Sequence, residues 1–363
     1  MRGELNPQGH IFSYFSPEER VPQDHPLRAI KHYADEALKP LAATFEAMYS
    51  DTGRPSIPPE RLLKASLLIA LYSVRSDRLF CEQLGYNILF RWFLDMSLEE
   101  ASFDPSTFSK NRERLMAHDV ALSFFDAVVK LARAKNLLSD EHFTVDGTLI
   151  EAWASMKSFR ARDHKKAPPP DDPGNPSVDF HGEPRSNATH ESTTDPQARL
   201  MRKGAGKEAK LAFSGNALME NRNGLCLDIH IMTAHGYAER EAALAMLSRQ
   251  GRKRIKPKSL GADKGYHTKD FVARLRRRGI VPHIARIESR KTPGLDARTT
   301  RHGGYALSQK KRKRIEEIFG WMKTVGGLRK TRVRGIERTQ LLAHLTGAAY
   351  NLLRISRLCP TTG

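Results

Sequence analysis

Cysteines, long apolar runs and acidic residues are all scarce in this sequence. Its 363 residues include only Cys81, Cys226 and Cys359. These cysteines form no Cys-x-x-Cys pair and lie near no histidine at metal-ligand spacing, which argues against a zinc site or a disulfide framework. No apolar run approaches the length of about eighteen residues that spans a membrane, and the first residues lack the apolar run of a signal peptide. We therefore expect a protein of the reducing cytoplasm that is neither exported nor membrane-spanning.

The deficit of acidic residues leaves a strongly basic chain. The sequence has 60 Lys and Arg residues against 41 Asp and Glu, for a formal net charge of +19. Such a charge attracts polyanions and makes nucleic acid the leading candidate partner, although a merely basic, soluble surface would have the same composition. A hydrophobic content of 39% in a chain of this length is enough for two packed domains.

The first domain is predicted to be all-helical and to cover residues 1–138. Apolar residues recur at helical spacing between residues 24 and 138, for example from Leu62 to Leu71 after two prolines that favour a helix start. Short helices near Leu79–Leu84 and Leu89–Leu94, followed by a helix that begins at Asp104–Pro105, have the order of a helix-turn-helix variant. We therefore interpret this domain as DNA-binding.

One face of the helix after Asp104 could lie in a DNA groove. Phe108 and Leu115 are expected to point inward. The remaining polar residues are expected to point largely outward, namely Thr107, Lys110, Asn111, Arg112 and Arg114. The alternative is an ordinary solvated helix face of mixed charge, and these residues alone do not separate the two.

A second domain, residues 139–363, is predicted to be α/β. It opens with a strand over His142–Thr148, where β-favouring residues alternate. Residues 157–207 lose this periodicity and contain seven prolines, so we predict a flexible insertion. After it come two antiparallel strands, Leu211–Met219 and Leu225–Met232, joined at Asn223–Gly224. The later predicted elements are a helix over Glu239–Leu247, strands over Ser259–Ala262 and Ile280–Ile284, a helix from Thr268 to Gly279, and helices over Ser308–Thr324 and Glu337–Leu358.

The predicted elements follow the order strand, hairpin, helix, strand, helix and strand. This is the element order of a mixed sheet with flanking helices. This order matches a ribonuclease-H-like fold of the retroviral-integrase kind. Carboxylates at the ends of its strands could hold the divalent ions that phosphodiester transfer uses.

Two aspartates are candidates for such a site. Asp146 lies in the first strand within Thr-Val-Asp-Gly-Thr, and Asp263 directly follows the strand Ser259–Ala262, at an edge where ligands collect in open sheets. Asp146–Gly147 could instead form a hairpin turn, and Asp263 could be a capping residue in a loop. Asp228 is a rival, but it is predicted to lie in the middle of a strand.

Glu316 is the third candidate because of its neighbours on the predicted helix. At 3.6 residues per turn, Arg312, Glu316 and Lys323 fall within about 40° of one another, beside an apolar face. A carboxylate at that border could reach toward the sheet. The alternative is a surface helix in which Arg312 and Glu316 form an intrahelical ion pair.

These segments together resemble the DDE transposases of bacterial insertion sequences, in particular the IS five group with its InsH-like N-terminal domain. The resemblance is carried by residues 57–71 and 106–115, by residues 144–148 and 262–266, and by the spacing of Arg312, Glu316 and Lys323. It spans most of the chain outside 157–207. A tyrosine that some related transposases have three residues before the arginine is replaced here by Gln309, with Tyr305 nearby.

The resemblance implies a transposase that binds the terminal repeats of its element and catalyses DNA cleavage and strand transfer. Asp146, Asp263 and Glu316 would bind two Mg²⁺ or Mn²⁺ ions, and Arg312 and Lys323 would contact DNA phosphate. Residues 307–334 hold ten basic and two acidic side chains, which suits that substrate. Pairing two element ends implies a homodimer or larger assembly on double-stranded DNA. The rivals are an inactive transposon-derived DNA-binding protein and a ribonuclease-H-type nuclease.

Overall fold

A computed structural model describes residues 15–49, 52, 56–162, 186–202 and 208–360. In the described residues before the first strand, eight α-helices form a helical layer. They are α1 Pro17–Arg20, α2 Pro26–Leu38, α3 Ala42–Ala47, α4 Pro59–Leu71, α5 Asp77–Tyr86, α6 Ile88–Phe93, α7 Pro105–Ala117 and α8 Val120–Ala134. The predicted helices near residues 62–71, 79–84, 89–94 and 104–115 are therefore confirmed. Asp104 caps α7, since its carboxylate accepts a hydrogen bond from the Thr107 N–H at 2.8 Å.

The remainder of the described chain is built on a six-stranded sheet. Its strands are β1 His142–Glu151, β4 Arg199–Arg202, β5 Ala209–Glu220, β6 Cys226–Thr233, β7 Ser259–Ala262 and β8 Val281–Ile284, while β2 Phe159–Ala161 and β3 His190–Ser192 form a separate hairpin. The helices are α9 Ala238–Arg252, α10 Lys269–Arg277, α11 Ala297–Thr300, α12 Gly303–Lys311, α13 Ile315–Thr324 and α14 Ile336–Leu358.

The strand order confirms the ribonuclease-H-like expectation. β1 pairs antiparallel with β5, and β5 pairs antiparallel with β6. On its other side β1 pairs parallel with β7, which pairs parallel with β8. Three antiparallel strands thus continue through β1 into two parallel strands, and β4 extends the sheet beside the first half of β5.

The predicted flexible insertion over 157–207 contains regular structure wherever the structure describes it. Residues 157–162 and 186–202 contain β2, β3 and β4, so the prediction that they lack regular structure is wrong. The strand β4 gains order by hydrogen bonding to the edge of β5, a long-range pairing that a loss of local periodicity does not reveal. Residues 163–185 and 203–207 lie outside the described chain.

The long helix α14 joins the helical layer to the sheet. It packs against α2, α4 and α8 on one side and against β6 on the other, and a single apolar core runs through both layers. The close approach occurs at Gly347, where a Cβ atom would lie 2.5 Å from Ile229 Cδ1 and 2.9 Å from the Phe125 ring. A glycine at this position therefore lets β6 and α8 contact the helix backbone.

No helix in the described part of the chain is both long enough and apolar enough to cross a membrane.

Candidate active site

Asp146 lies in the middle of β1, and the strand continues through Glu151. It is the register partner of Ala217 in β5, so the alternative of a hairpin turn at Asp146–Gly147 is wrong. On the parallel side, Thr144 pairs with Gly261. Continuing that register by two residues brings Asp146 level with Asp263.

Asp263 follows the last residue of β7, at the carboxyl edge of the parallel strands. Its Oδ1 accepts a hydrogen bond from the Gly265 N–H at 2.8 Å and so caps the short 3₁₀ turn over Lys264–Tyr266. Asp263 therefore caps a turn, as the alternative predicted, and also lies at the edge of the sheet where a catalytic acid was predicted. In open α/β sheets this edge is where ligands bind.

The charges of Asp263 and Glu316 act on the carboxyl group of Asp146. Asp146 is half-buried, and its pKa is raised to about 6, mainly because burial disfavours the carboxylate form. The charges of Asp263 and Glu316 raise the pKa further, whereas the Gly147 N–H and Arg312 lower it. The structure thus brings Asp146, Asp263 and Glu316 into one electrostatic environment.

The acids do not form a ready set of metal ligands. Among the residues that the structure describes, no three His, Cys, Asp or Glu side chains are arranged to hold one ion. Glu316 is exposed on the first turn of α13.

Arg312 and Lys323 approach the same strand from separate elements. The predicted helix over Ser308–Thr324 is confirmed in α12 and α13, with a 3₁₀ turn over Arg312–Arg314 between them. The helix α12 packs on β8, whereas α13 packs on β1 and α14. Lys323 nevertheless reaches β1 and donates a hydrogen bond to Thr148 Oγ1 at 2.6 Å.

Gln309 and Tyr305, the residues at and near the position of the absent tyrosine, hold α12 against β8. The Tyr305 hydroxyl donates to the Ile284 carbonyl at 2.8 Å, and the Gln309 side-chain amide donates to the His283 carbonyl at 2.5 Å. The Arg312 Nε donates to Gln309 Oε1 at 3.1 Å. Both residues therefore position the segment that precedes Glu316.

Asp228, the rival acid, belongs to the core of the sheet. It is 3% exposed and accepts two hydrogen bonds from Arg249, at 2.8 and 3.0 Å, and one from the Gln250 amide at 3.1 Å. No surface is left on this carboxylate for a substrate, so it is not part of the site.

Glu239 is an acidic neighbour that the sequence analysis missed. It lies in the first turn of α9, and its pKa is raised to about 7 by burial and by the charges of Asp146 and Asp263. Along the sequence nothing separates Glu239 from Glu241 in the same turn, because both are acids near a helix start. Only the packing of α9 on the sheet distinguishes them.

The polar face of α7 differs in part from the prediction. Thr107 and Lys110 are exposed as expected, but Asn111 is only 5% exposed, so its outward placement is wrong. Its amide donates to the Thr107 carbonyl at 2.9 Å and accepts from Ser56 at 3.0 Å, because a residue three positions after Phe108 shares its buried side. Arg112 is half-buried and forms an ion pair with Asp77 at 2.5 Å.

A cavity of about 590 Å³ lies between the helical layer and the segment after α13. Arg112 and Asp77 line it together with Trp153, Lys330 and Arg332. None of the three predicted acids lines this cavity, so it is separate from the candidate active site.

Two family models match the chain. A model described as a transposase domain (DUF772) matches residues 15–114, and one described as a transposase DDE domain matches residues 180–352. Asp263 and Glu316 lie inside the second match, whereas Asp146 precedes it. No curated protein matches the chain.

Three solved structures show a distant similarity. A piggyBac transposase synaptic complex with hairpin DNA has 12% identity over 92% of this chain and 76% of that chain, with a TM-score of 0.38. A pre-cleavage Mos1 transpososome has 10% identity over 84% of this chain and 81% of that chain, with a TM-score of 0.20. A Mos1 transposase paired-end complex with the left transposon end has 9% identity over the same shares and a TM-score of 0.21.

Proposed function

Because this chain belongs to the DDE-type DNA transposases, we propose that Asp146, Asp263 and Glu316 are its catalytic acids. The observation that carries the proposal is the parallel register of β1 and β7, which brings Asp146 level with Asp263 at the carboxyl edge of the parallel strands. The charges of Asp263 and Glu316 both raise the pKa of Asp146, which supports a shared site for the acids from β1, from the end of β7 and from α13.

DDE transposases depend on divalent metal ions, and the donors here suit a hard ion. We propose two Mg²⁺ or Mn²⁺ ions, because the donors are carboxylate oxygens without histidine or thiolate among them. When bound, such ions supply positive charge that activates the attacking oxygen and stabilises the leaving one. The coupled carboxylates, which repel one another in the metal-free protein, would then be held together by the ions.

The proposed reaction has two steps at one site. A water molecule attacks the phosphodiester at an end of the element and breaks the P–O3′ bond of the element's last nucleotide, which leaves a 5′ phosphate on the flanking DNA and frees a 3′ hydroxyl on the element. That hydroxyl then attacks a target phosphodiester, and a target 3′ oxygen leaves as the new bond forms. Arg312 and Lys323, which approach β1 beside the acids, would hold the negatively charged phosphate in place.

The test of this function is strand chemistry that requires a divalent ion. Labelled DNA containing an element end, incubated with the protein and Mg²⁺, should be cut at the end and joined to a target plasmid. Removing the ion with EDTA should stop both steps, and adding Mn²⁺ should restore them. Cleavage that persists in EDTA would contradict the proposed metal site.

We propose that the exposed part of α7 contacts element-end DNA. Thr107 and Lys110 face outward there. Arg112 lies at the edge of this face, where it forms an ion pair with Asp77, and would add a further DNA contact. Duplex phosphates attract such a basic surface, and a helix of this kind can enter the major groove. The protein would thus bind the ends of its element in the bacterial cytoplasm, on the nucleoid.

Lys110→Gln is expected to weaken binding of end DNA. Losing one phosphate contact should lower the slope of log affinity against log salt concentration by about 1. Fluorescence anisotropy over a salt series measures this slope. Lys130→Gln is the matched control, because Lys130 is an exposed lysine on α8, and an equal change in both variants would exclude a specific role for α7.

We further propose that the active species is a homodimer or a larger assembly. Two element ends must be brought together, and a symmetric pair of protomers is the simplest arrangement that does so. Sedimentation of the protein on paired-end DNA tests this, and a species with one protomer would contradict it.

A further inference from the structure

The cavity between the helical layer and the segment after α13 has a mainly basic lining. Its charged side chains are those of Arg75, Asp77, Arg112, Lys330 and Arg332. Asp77 forms an ion pair with Arg112. Among the residues that the structure describes, no carboxylate lies within ion-pair distance of the other three cations. The cavity therefore carries positive charge that no acid compensates, and it favours an anionic ligand.

Hydrogen bonds join the two sides of this cavity. The Ser73 hydroxyl donates to the Val325 carbonyl at 2.8 Å, and the Arg332 guanidinium donates to the Val74 carbonyl at 2.6 Å. Both bonds connect the segment after α4 with the segment after α13. The cavity is therefore bordered by two segments that hold each other in place.

The lining also includes an exposed aromatic ring, that of Trp153, two residues after the end of β1. Trp153 is 49% exposed, although tryptophan is highly buried on average. The Lys330 Nζ lies 6.0 Å from the centroid of the ring. The backbone around Lys330 is fixed by Glu151, which donates to the Arg329 carbonyl at 3.1 Å and accepts from the Thr331 N–H at 2.8 Å. An exposed ring beside cations suits a nucleotide, because the base can stack and the phosphate can pair.

The cavity lies between the two regions that we propose to contact DNA. Ser109 and Arg112 of α7 line it on one side, and Trp153 lines it on the side of β1. From Asp146 to Glu151 the strand β1 covers five residue steps, which is about 17 Å at about 3.3 Å per residue. This is the length of about five base pairs. DNA that extends from α7 to Asp146 would therefore pass the cavity about five base pairs from the scissile bond.

We propose that this cavity binds one unpaired nucleotide of the element-end DNA, whose base stacks on Trp153. Its phosphate would be held by Arg75, Lys330 and Arg332. The volume of about 590 Å³ suits this occupant, because cavities of about 300–1,000 Å³ hold single small ligands, whereas a duplex is too large to enter. The inference rests on the proposed function, because it assumes the same DNA. The bound nucleotide would fix the position of the element end relative to the acids.

A mismatch scan of end DNA tests the proposal without requiring cleavage. Each base pair near the element end is replaced in turn by a mismatch, and binding to wild type and Trp153→Ala is measured by fluorescence anisotropy in Ca²⁺. A mismatch removes the cost of unpairing the bound nucleotide. We therefore expect wild type to prefer a mismatch about five base pairs from the cut. Trp153→Ala should lose this preference and bind matched end DNA roughly 5- to 150-fold more weakly.

Two further variants separate stacking from the general loss of an exposed ring. Trp153→Phe keeps a ring on which a base can stack, so it should retain most of the binding and the mismatch preference. Tyr86→Ala removes a ring that is 67% exposed but does not line the cavity, so it should bind as wild type does. Circular dichroism of each variant identifies unfolded protein.

The phosphate contact is tested by Lys330→Gln. Losing one phosphate contact should lower the slope of log affinity against log salt concentration by about 1. Lys130→Gln serves again as the control, because Lys130 is exposed on α8 and does not line the cavity. An unchanged slope in Lys330→Gln would contradict the phosphate contact.

A crosslinking experiment tests the site in the wild-type protein. End DNA that carries 5-iodouracil at the position selected by the mismatch scan is irradiated in the complex, and the crosslinked peptide is identified by mass spectrometry. We expect the peptide that contains Trp153. A crosslink to α7 alone would contradict a base in the cavity.

The outcomes separate this inference from the proposed function. Mismatch effects that are equal at every position, or a preference that Trp153→Ala retains, would overturn the nucleotide site while wild type still cuts end DNA. Equal losses of binding in Trp153→Ala and Tyr86→Ala would also overturn it, since they would indicate a general effect of exposed rings. A wild type that shows the mismatch preference in Ca²⁺ but never cuts end DNA would contradict the proposed catalysis and support the nucleotide site.

Discussion

Glu316→Gln is expected to lower strand cleavage by at least ~1,000-fold while binding of element-end DNA is retained. Glutamine keeps the shape of glutamate but cannot supply the negative charge that holds a divalent ion. A bound metal ion contributes several kcal/mol of transition-state stabilisation, and each ~1.4 kcal/mol corresponds to a tenfold change in rate. Binding should persist because Glu316 is an acid and contributes no attraction to phosphate. Cleavage is scored on labelled end DNA in Mg²⁺, and binding by gel shift in Ca²⁺.

The neighbouring residue Glu317 supplies the control for this experiment. It is exposed like Glu316, but it points away toward Arg354 and Arg314, with which it forms ion pairs at 3.3 and 3.7 Å. Glu317→Gln should therefore cleave DNA at close to the wild-type rate. If Glu316→Gln also cleaves normally, Glu316 is not a metal ligand and the three-acid site is rejected.

The same assay distinguishes the rival functions. A wild-type protein that binds end DNA but never cuts it would be an inactive, transposon-derived DNA-binding protein. One that degrades the RNA of RNA–DNA hybrids and ignores element ends would be a ribonuclease-H-type nuclease. Substrates of both kinds therefore belong in one panel, with Glu316→Gln beside wild type on each.

Local sequence patterns predicted most of the regular elements because those elements satisfy local rules. Thr268 caps α10 through its hydroxyl, and a buried apolar face forms on α13 from Ile315, Ile318, Phe319 and Met322. The edge strand β4 and the hairpin of β2 and β3 escaped prediction because partners far along the chain satisfy their backbone groups. Their short strands carry too little apolar alternation to be read locally.

The candidate site was predictable where an acid follows a recognisable strand, as Asp263 does. Asp146 was harder, because Asp-Gly favours a turn when isolated, and only pairing on both sides keeps it within β1. Glu239 could not be selected from the sequence, since only the packing of α9 on the sheet buries it more than Glu241 in the same turn. Asn111 was misplaced because helical spacing assigns faces only approximately near the border of an apolar stripe.

Arg249→Met is expected to destabilise the protein by roughly 3–5 kcal/mol, since removing one partner of a buried ion pair leaves the other charge unpaired. Asp228 is 3% exposed and lies in β6, which packs against α9 and α14, and Arg249 provides two of the three hydrogen bonds to its carboxylate that the structure shows. Methionine keeps most of the apolar length of arginine, so lost packing adds little. Urea denaturation followed by circular dichroism gives the change in the free energy of unfolding.

Two further variants show whether the unpaired charge causes that loss. Arg252→Met, at an exposed arginine of the same helix α9, should change the free energy of unfolding by no more than about 0.5 kcal/mol. Asp228→Val combined with Arg249→Met removes both charges and places a β-favouring side chain in β6, so it should recover most of the stability that the single variant loses. A double variant as unstable as Arg249→Met would mean that arginine packing, rather than pairing with Asp228, stabilises this part of the sheet.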